Sequence, residues 1–325
     1  QMCIRDRADP MNRKTATSVR KTMKPGAERA PLRPDSIAVF TAAEPTKLME
    51  FLAARMPERK RTAIKQMLKY GQVKLAGTVT SQFDAEVAAG ARVEVNFTRP
   101  FVTFRNRRMQ LVYEDEHIIV VNKGYGLLSM GNDKVKEGTA YSILRDYVKD
   151  VDPRQKIFIV HRLDQHTSGL MVFAKTMAAK EGLQHNWNNM VRRRQYVCVV
   201  EGKLDPPDGE VRSYLAENSK YQVYSTDNPD EGKPALTRYR TLQCANGFTL
   251  AEVELETGRK NQIRVHMSDL GHPISGDRRY GAKSAPIHRL ALHARTLVFI
   301  HPATRQLMTF ETPVPAPFLS MVKQG

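Results

Sequence analysis

Two apolar runs, residues 157–160 and 170–174, enclose the polar segment His161-Arg162-Leu163-Asp164-Gln165-His166-Thr167-Ser168-Gly169. Such runs bounded by polar residues predict buried strands, so the chain is expected to fold around two core strands and a charged connection. Gly169 relaxes the backbone where the second strand begins. Basic, acidic and hydroxyl side chains held on so rigid a base are placed as catalytic groups usually are. Taken alone, the same string also reads as an ion pair closing a turn. The surrounding motifs must decide between the two.

At 325 residues the chain has room for about two domains. Its 51 basic against 34 acidic residues leave a net charge of +17, which calls for a polyanionic partner, and nucleic acid fits best. No apolar run approaches a membrane span, so a membrane partner is not expected. Cys3, Cys198 and Cys244 are odd in number and show no ligand spacing, which fits structural thiols in a reducing cytoplasm.

Residues 1–44 carry Arg13, Lys14, Arg20, Lys21, Lys24, Arg29 and Arg33 without a sustained apolar period and read as a disordered basic tail. Within it, residues 1–7 bear no relation to the remainder of the chain and read as an artefactual extension. A targeting peptide is the rival reading, but no amphipathic period supports it. From residue 45 the spacing predicts two short helices around Arg59-Lys60-Arg61, then small strands to residue 97. Residues 98–108 form a basic linker, and residues 109–322 a second domain. There the expectation is a strand pair through 111–123, helices over 139–151, 177–189 and 262–270, and strands at 195–202, 236–242, 248–255, 290–300 and 307–310. Residues 203–234, rich in Asp, Pro, Gly and Ser, read as a loop or insertion. Trp187 is assigned to packing.

Four separated pieces carry a resemblance: Asn122-Lys123-Gly124-Tyr125-Gly126, the opening segment, Arg194-Gln195-Tyr196, and residues 258–266 with Arg259, Lys260, Asn261 and Arg264. Together with residues 271–277 and 290–294, and in this order, they resemble the RNA pseudouridine synthases of the RluA type. Residues 45–97 resemble an S4 RNA-binding domain, with Arg59, Lys60, Arg61, Lys65 and Lys69 as its expected RNA contacts. The implied fold class is α+β, a mixed and mainly antiparallel central sheet with flanking helices, plus a small N-terminal α+β domain.

The resemblance implies that a uracil in RNA is detached from its ribose through N1, rotated and rejoined through C5, without cofactor or metal. Asp164 matches the essential Asp, nucleophile or base, and a carboxylate suits either role when ionised. Arg264 matches the Arg that pairs with it, as a fork. Tyr196 matches the active-site Tyr that stacks on the extruded base and can move a proton from C5. Arg162 matches the Arg that fills the gap left by the base, and it shares a face with Asp164 if the strand extends that far. His161, Lys123 and Arg259, in the same motifs, are further expected RNA contacts. Ribosomal RNA is favoured over transfer RNA, and no obligate protein partner beyond a monomer is expected.

Two positions depart from the family pattern: Gly124 stands where Pro is usual, and Asn261 where His is common. A metal site built from His161, His166, His266 and His272 matches no ligand spacing. A hydrolase using Ser168, His161 and Asp164 lacks the nucleophile elbow. A non-catalytic RNA-binding or ribosome-assembly factor is the serious alternative, and the joint presence of Asp164, Tyr196 and Arg264 argues against it.

Overall fold

The computed structural model describes residues 36–131 and 135–323, and the chain divides between Phe101 and Val102 into two compact units. The basic segment 1–35 lies outside the described residues. The first unit contains β1 (Ile37–Thr41), β2 (Thr46–Lys47), α1 (Leu48–Arg55), α2 (Arg61–Lys69), β3 (Val73–Leu75), β4 (Thr78–Val79), β5 (Glu86–Val87) and β6 (Arg92–Asn96). Its antiparallel sheet has the order β1-β6-β3-β4. Ile64, Met67 and Leu68 bury one face of α2, while Arg61, Lys65 and Lys69, four residues apart, form a stripe on the exposed face.

Residues 37–41 correct the expectation of a tail reaching residue 44. Ile37, Val39 and Phe40 favour an extended chain, and all five residues pair with β6, Ile37 opposite Asn96 and Thr41 opposite Arg92.

The second unit contains β7 (Met109–Glu114), β8 (Ile118–Lys123), α3 (Ala140–Val151), β9 (Phe158–Ile159), β10 (Ser168–Ala174), α4 (Met177–His185), α5 (Trp187–Met190), β11 (Val191–Glu201), β12 (Asp208–Glu217), β13 (Val223–Thr226), β14 (Lys233–Ala245), β15 (Phe248–Leu255), α6 (Gln262–Asp269), β16 (Leu292–Ile300), β17 (Leu307–Glu311) and α7 (Ala316–Met321). Among the described residues its strands form one sheet in the order β13-β12-β14-β15-β11-β16-β10-β8-β7, with β9 on β10 and β17 on β16. Only the β10–β16 pairing is parallel. The fold is therefore α+β with a mixed, mainly antiparallel sheet.

All seven residues of β10 are buried because apolar layers cover both faces there. Ile119, Val121, Met171 and Phe173 pack toward Leu144 and Val148 of α3, whereas Ile118, Val120, Leu170 and Val172 pack with Ala179 and Leu183 of α4. Adjacent residues thus serve opposite layers, as the two-residue strand period requires. Thr139 starts α3 with a capping box: its side chain accepts from the Ser142 N–H, and Ser142 Oγ accepts from the Thr139 N–H.

The structure departs from the sequence reading at four further places. Residues 203–234 carry β12 and β13, which extend the sheet rather than forming a loop. The strand before the polar segment is only β9, two residues long. The helix expected over 177–189 breaks at Asn186. After Pro315 the chain forms α7, since Pro317 in its first turn forfeits no intrahelical bond. No described helix is long and apolar enough to cross a membrane.

Candidate active site

Asp164 lies on the connection between β9 and β10, half-buried, and two anchors fix that connection. Ser129 Oγ donates to the Leu163 carbonyl at 2.5 Å and accepts from the Leu163 N–H at 3.1 Å, while the Thr167 N–H closes a turn onto the Asp164 carbonyl at 3.1 Å. Beyond the turn, Gly169 pairs with Ala294 of β16, and Ala294 pairs with Tyr196 of β11. This cross-strand row sets Tyr196 two strands away from the start of β10. Arg264 comes from α6, whose entry residue Asn261 adopts left-handed backbone geometry (φ 55°), a conformation Asn tolerates well.

These elements meet in a cavity of about 430 Å³ lined by Asp164, Tyr196 and Arg264 together with Arg162, Arg194, Arg259 and Lys260. Five cationic side chains and one carboxylate line it; Arg264 is paired with Asp277 and Lys260 with Glu217, which leaves Arg162, Arg194 and Arg259 to favour a phosphodiester chain. Burial pushes the Tyr196 phenol up to about 12, with Arg194 acting against the rise and Asp164 adding to it. At neutral pH Tyr196 is therefore an intact phenol ring.

The structure redirects the fork of Arg264. Its Nε and Nη2 donate to the two carboxylate oxygens of Asp277 at 2.6 and 2.7 Å, and its Nη1 donates to Asn261 Oδ1 at 3.0 Å. Burial opposes the Arg264 charge, but hydrogen bonds and charge from Asp277, then the charge of Asp164, raise its pKa overall. Arg264 thus influences Asp164 through its field while its planar donors hold Asp277. Asp277, buried to 3 % exposure, belongs to the motif stretch 271–277, in which nothing local marks it for a role.

One expected RNA contact, Lys123, is corrected, and a second, His161, changes in kind. Lys123 is fully buried, and its ammonium donates to the carbonyls of Leu127 at 2.8 Å, Gly124 at 3.2 Å and Gln165 at 3.3 Å. Fully enclosed, it braces the Asp164 loop through the Gln165 carbonyl and offers no surface to a ligand. Burial drives its pKa down to about 7, with Asp164 opposing that shift and Arg289 adding to it. His161 lines the cavity, but its Nε2 accepts from the Val172 N–H at 3.0 Å, and burial with the nearby Arg194 brings its pKa down to about 3. It is a neutral ring at neutral pH and no partner for phosphate.

Arg162 is exposed at the cavity, although not by the strand alternation expected, because β9 ends at Ile159. Arg259 also lines the cavity, its Nε donating to the Pro234 carbonyl at 3.0 Å. Arg59, Lys60, Arg61, Lys65 and Lys69 are exposed on the first unit.

The RNA pseudouridylate synthase family model matches residues 117–269, which carry all three reactive-site candidates. A Bacillus subtilis (strain 168) protein described as the uncharacterized RNA pseudouridine synthase YlyB is 33 % identical over 294 residues, spanning 87 % of this chain and 96 % of the relative. The chain belongs to the RNA pseudouridine synthases.

A second relative, the ribosomal large subunit pseudouridine synthase D of Haemophilus influenzae, is 32 % identical over 293 residues, 85 % of this chain and 90 % of that protein. The solved structure of human RNA pseudouridylate synthase domain containing 4 shares the fold, with a TM-score of 0.55 at 23 % identity over 66 % of this chain and 92 % of that one. Family membership makes the chain an isomerase rather than a binding factor alone.

The two departures from the pseudouridine synthase pattern have local causes. The Gly124 N–H donates to the Arg108 carbonyl at 2.7 Å, and a Cβ there would lie 2.5 Å from that oxygen, so proline would lose the bond and collide. Asn261 spans Arg264 and the Tyr280 hydroxyl, to which its Nδ2 donates at 3.1 Å.

Replacing Asp277 by Asn removes the anion that holds Arg264 and frees its fork to close on Asp164. We expect kcat to fall about 10- to 100-fold, the scale of a displaced catalytic group, with RNA affinity little changed. Steady-state kinetics of Asp277→Asn, Arg264→Lys and the double variant check this. Additive effects of the two substitutions would show that Asp277 does not act through Arg264.

Proposed function

We propose that this pseudouridine synthase isomerises uridine in large-subunit ribosomal RNA, with Asp164 as the reactive carboxylate. The carrying observation is the convergence of Asp164, Tyr196 and Arg264, from three distant stretches of chain, in one cationic cavity. In the overall reaction the N1–C1′ bond breaks and a C5–C1′ bond forms. The hydrogen on C5 leaves as a proton and N1 gains one, so no other reactant is consumed.

A base inside a stem is inaccessible, so the uridine must leave its stack. Arg162, exposed at the cavity rim, is the side chain suited to fill the gap. Tyr196, held as a phenol, offers its ring face to the uracil, and this supports stacking and orientation as its main contribution. Asp164 faces the same cavity and is the carboxylate we assign to act on ribose or uracil. The 32 % identity to a ribosomal large subunit synthase over most of both chains favours ribosomal over transfer RNA.

The decisive comparison is of pseudouridine maps of ribosomal and transfer RNA from cells with and without the gene. Loss of one or more large-subunit sites is expected, whereas loss confined to transfer RNA would overturn the assignment.

We read the first unit as an S4-like RNA-binding module whose contact face is the α2 stripe. Aromatic rings support its basic neighbours: the Arg59 guanidinium lies 4.7 Å from the Phe97 ring and the Lys65 ammonium 5.3 Å from that of Phe83. Neutralising Arg61, Lys65 and Lys69 to Gln in the full chain is expected to weaken RNA binding and to flatten the log–log salt dependence by roughly 2–3 units, close to one for each phosphate no longer neutralised. An unchanged slope would remove this face from the RNA path.

A further inference from the structure

The cavity that holds Asp164 is also lined by Val160, His161, Gln184 and Trp187, none of which the proposed reaction uses. Trp187 opens the single turn of α5, immediately beyond the break that ends α4. Its indole leans on the layer containing Val160, Leu183 and Phe299, yet it remains half-buried and borders the cavity. The His161 ring lies 4.8 Å from it, with the planes 36° apart. Because His161 Nε2 is held by the Val172 N–H and the ring stays neutral, the pair presents a fixed aromatic surface. Gln184, exposed near the end of α4, adds an amide that both donates and accepts.

We propose that Trp187, with His161 and Gln184, forms a second nucleobase subsite, which takes the base adjacent to the target uridine on the same RNA strand. The inference rests on the reading that the cavity receives an extruded uridine. Extrusion removes a stacking partner from each neighbouring base, and an aromatic side chain restores one in a sequence-tolerant way. The cationic lining fits a strand with more than one phosphate in the cavity, since Arg194 and Arg259 accompany Arg264 at the reactive end and Arg162 at the gap. Gln184 then meets an edge of the stacked base and gives the subsite a means of preferring some flanking bases over others.

Trp187 is the only tryptophan in the chain, so its emission reports on this subsite directly. The full-length Asp164→Asn protein would be titrated with pentauridylate and with a strand of the same length and charge, bearing uracil at the centre and abasic riboses elsewhere. Pentauridylate is expected to quench Trp187 and to bind about tenfold more tightly, the contribution of one stacked base. Trp187→Ala should erase the difference in affinity and Trp187→Phe retain most of it. Equal quenching by the two strands, or an undiminished affinity difference in Trp187→Ala, would overturn the subsite. If Arg264→Ala and Trp187→Ala both leave pentauridylate binding unchanged, the cavity is not the RNA site and the parent reading falls with it. If Arg264→Ala weakens binding while Trp187→Ala does not, the subsite alone falls.

Discussion

Asp164→Asn is expected to lower single-turnover conversion of uridine by at least about 10³-fold while leaving RNA affinity within a few-fold of the unaltered enzyme. The substitution keeps the shape of the side chain and removes its charge, so a large loss reports on chemistry. Folding should be nearly untouched, because the groups around Asp164 have their own partners. Arg264 is held by Asp277 and Asn261, Lys123 by three carbonyls, and the loop by Ser129 and the Thr167 turn. The unpaired Arg264 that a simple Asp164–Arg264 couple would leave behind does not arise. Release of tritium from C5-labelled uridine in ribosomal RNA, with thermal melting of the same sample, measures both effects. A variant that converts RNA at the unaltered rate would show that the reactive group lies elsewhere.

Gly169→Ala is expected to destabilise the fold by more than about 4 kcal/mol, at the extreme of single substitutions. Two constraints coincide at this residue. Its φ of +120° lies where L side chains rarely go, and a Cβ would sit 2.2 Å from the carbonyl oxygen of Ala294 and 2.5 Å from its nitrogen. Both obstructing atoms are backbone of a buried neighbouring strand, so relief requires separating β10 from β16. Gly247 provides the contrast. It has φ +76° with nothing within 4 Å of a Cβ, and Gly247→Ala should cost only about 1 kcal/mol from its backbone conformation. Denaturant unfolding of the two variants distinguishes the cases, and a loss at Gly169 no larger than at Gly247 would refute the steric account.

The residues of the proposed reactive site are legible in the sequence because they sit in short motifs whose chemistry is local: Asp164 two residues after Arg162, Tyr196 entering a strand, Arg264 after a turn. The assignments that the structure changed depend on tertiary burial. Nothing in Asn122-Lys123-Gly124 marks the lysine as fully enclosed, and the backbone N–H that His161 accepts lies eleven residues along the chain. Asp277 gives no local signal because its partner comes from another segment. The break at Asn186 likewise hides Trp187 inside one expected helix, so periodicity does not reveal its place on the cavity wall. Residues 37–41 are lost among basic neighbours, since a five-residue strand carries little pattern until its partner, β6, is known.

The β10–β16 pairing, the one parallel pairing among the described residues, also bears on how the enzyme comes into being. Ser168 and Gly169 meet residues 125 positions later in the chain, and Tyr196 is positioned through the same strand. Contacts so distant in sequence form late, after their loop-closure entropy has been met. The stretch 117–269 contains Asp164, Tyr196 and Arg264, the proposed reactive side chains, but not β16, the strand that lies between β10 and β11. During synthesis the three proposed groups therefore emerge before β16, the strand that joins their two halves of the sheet. Residues 292–300 include none of the three proposed groups, yet until they insert between β10 and β11 the sheet cannot set Tyr196 beside Asp164.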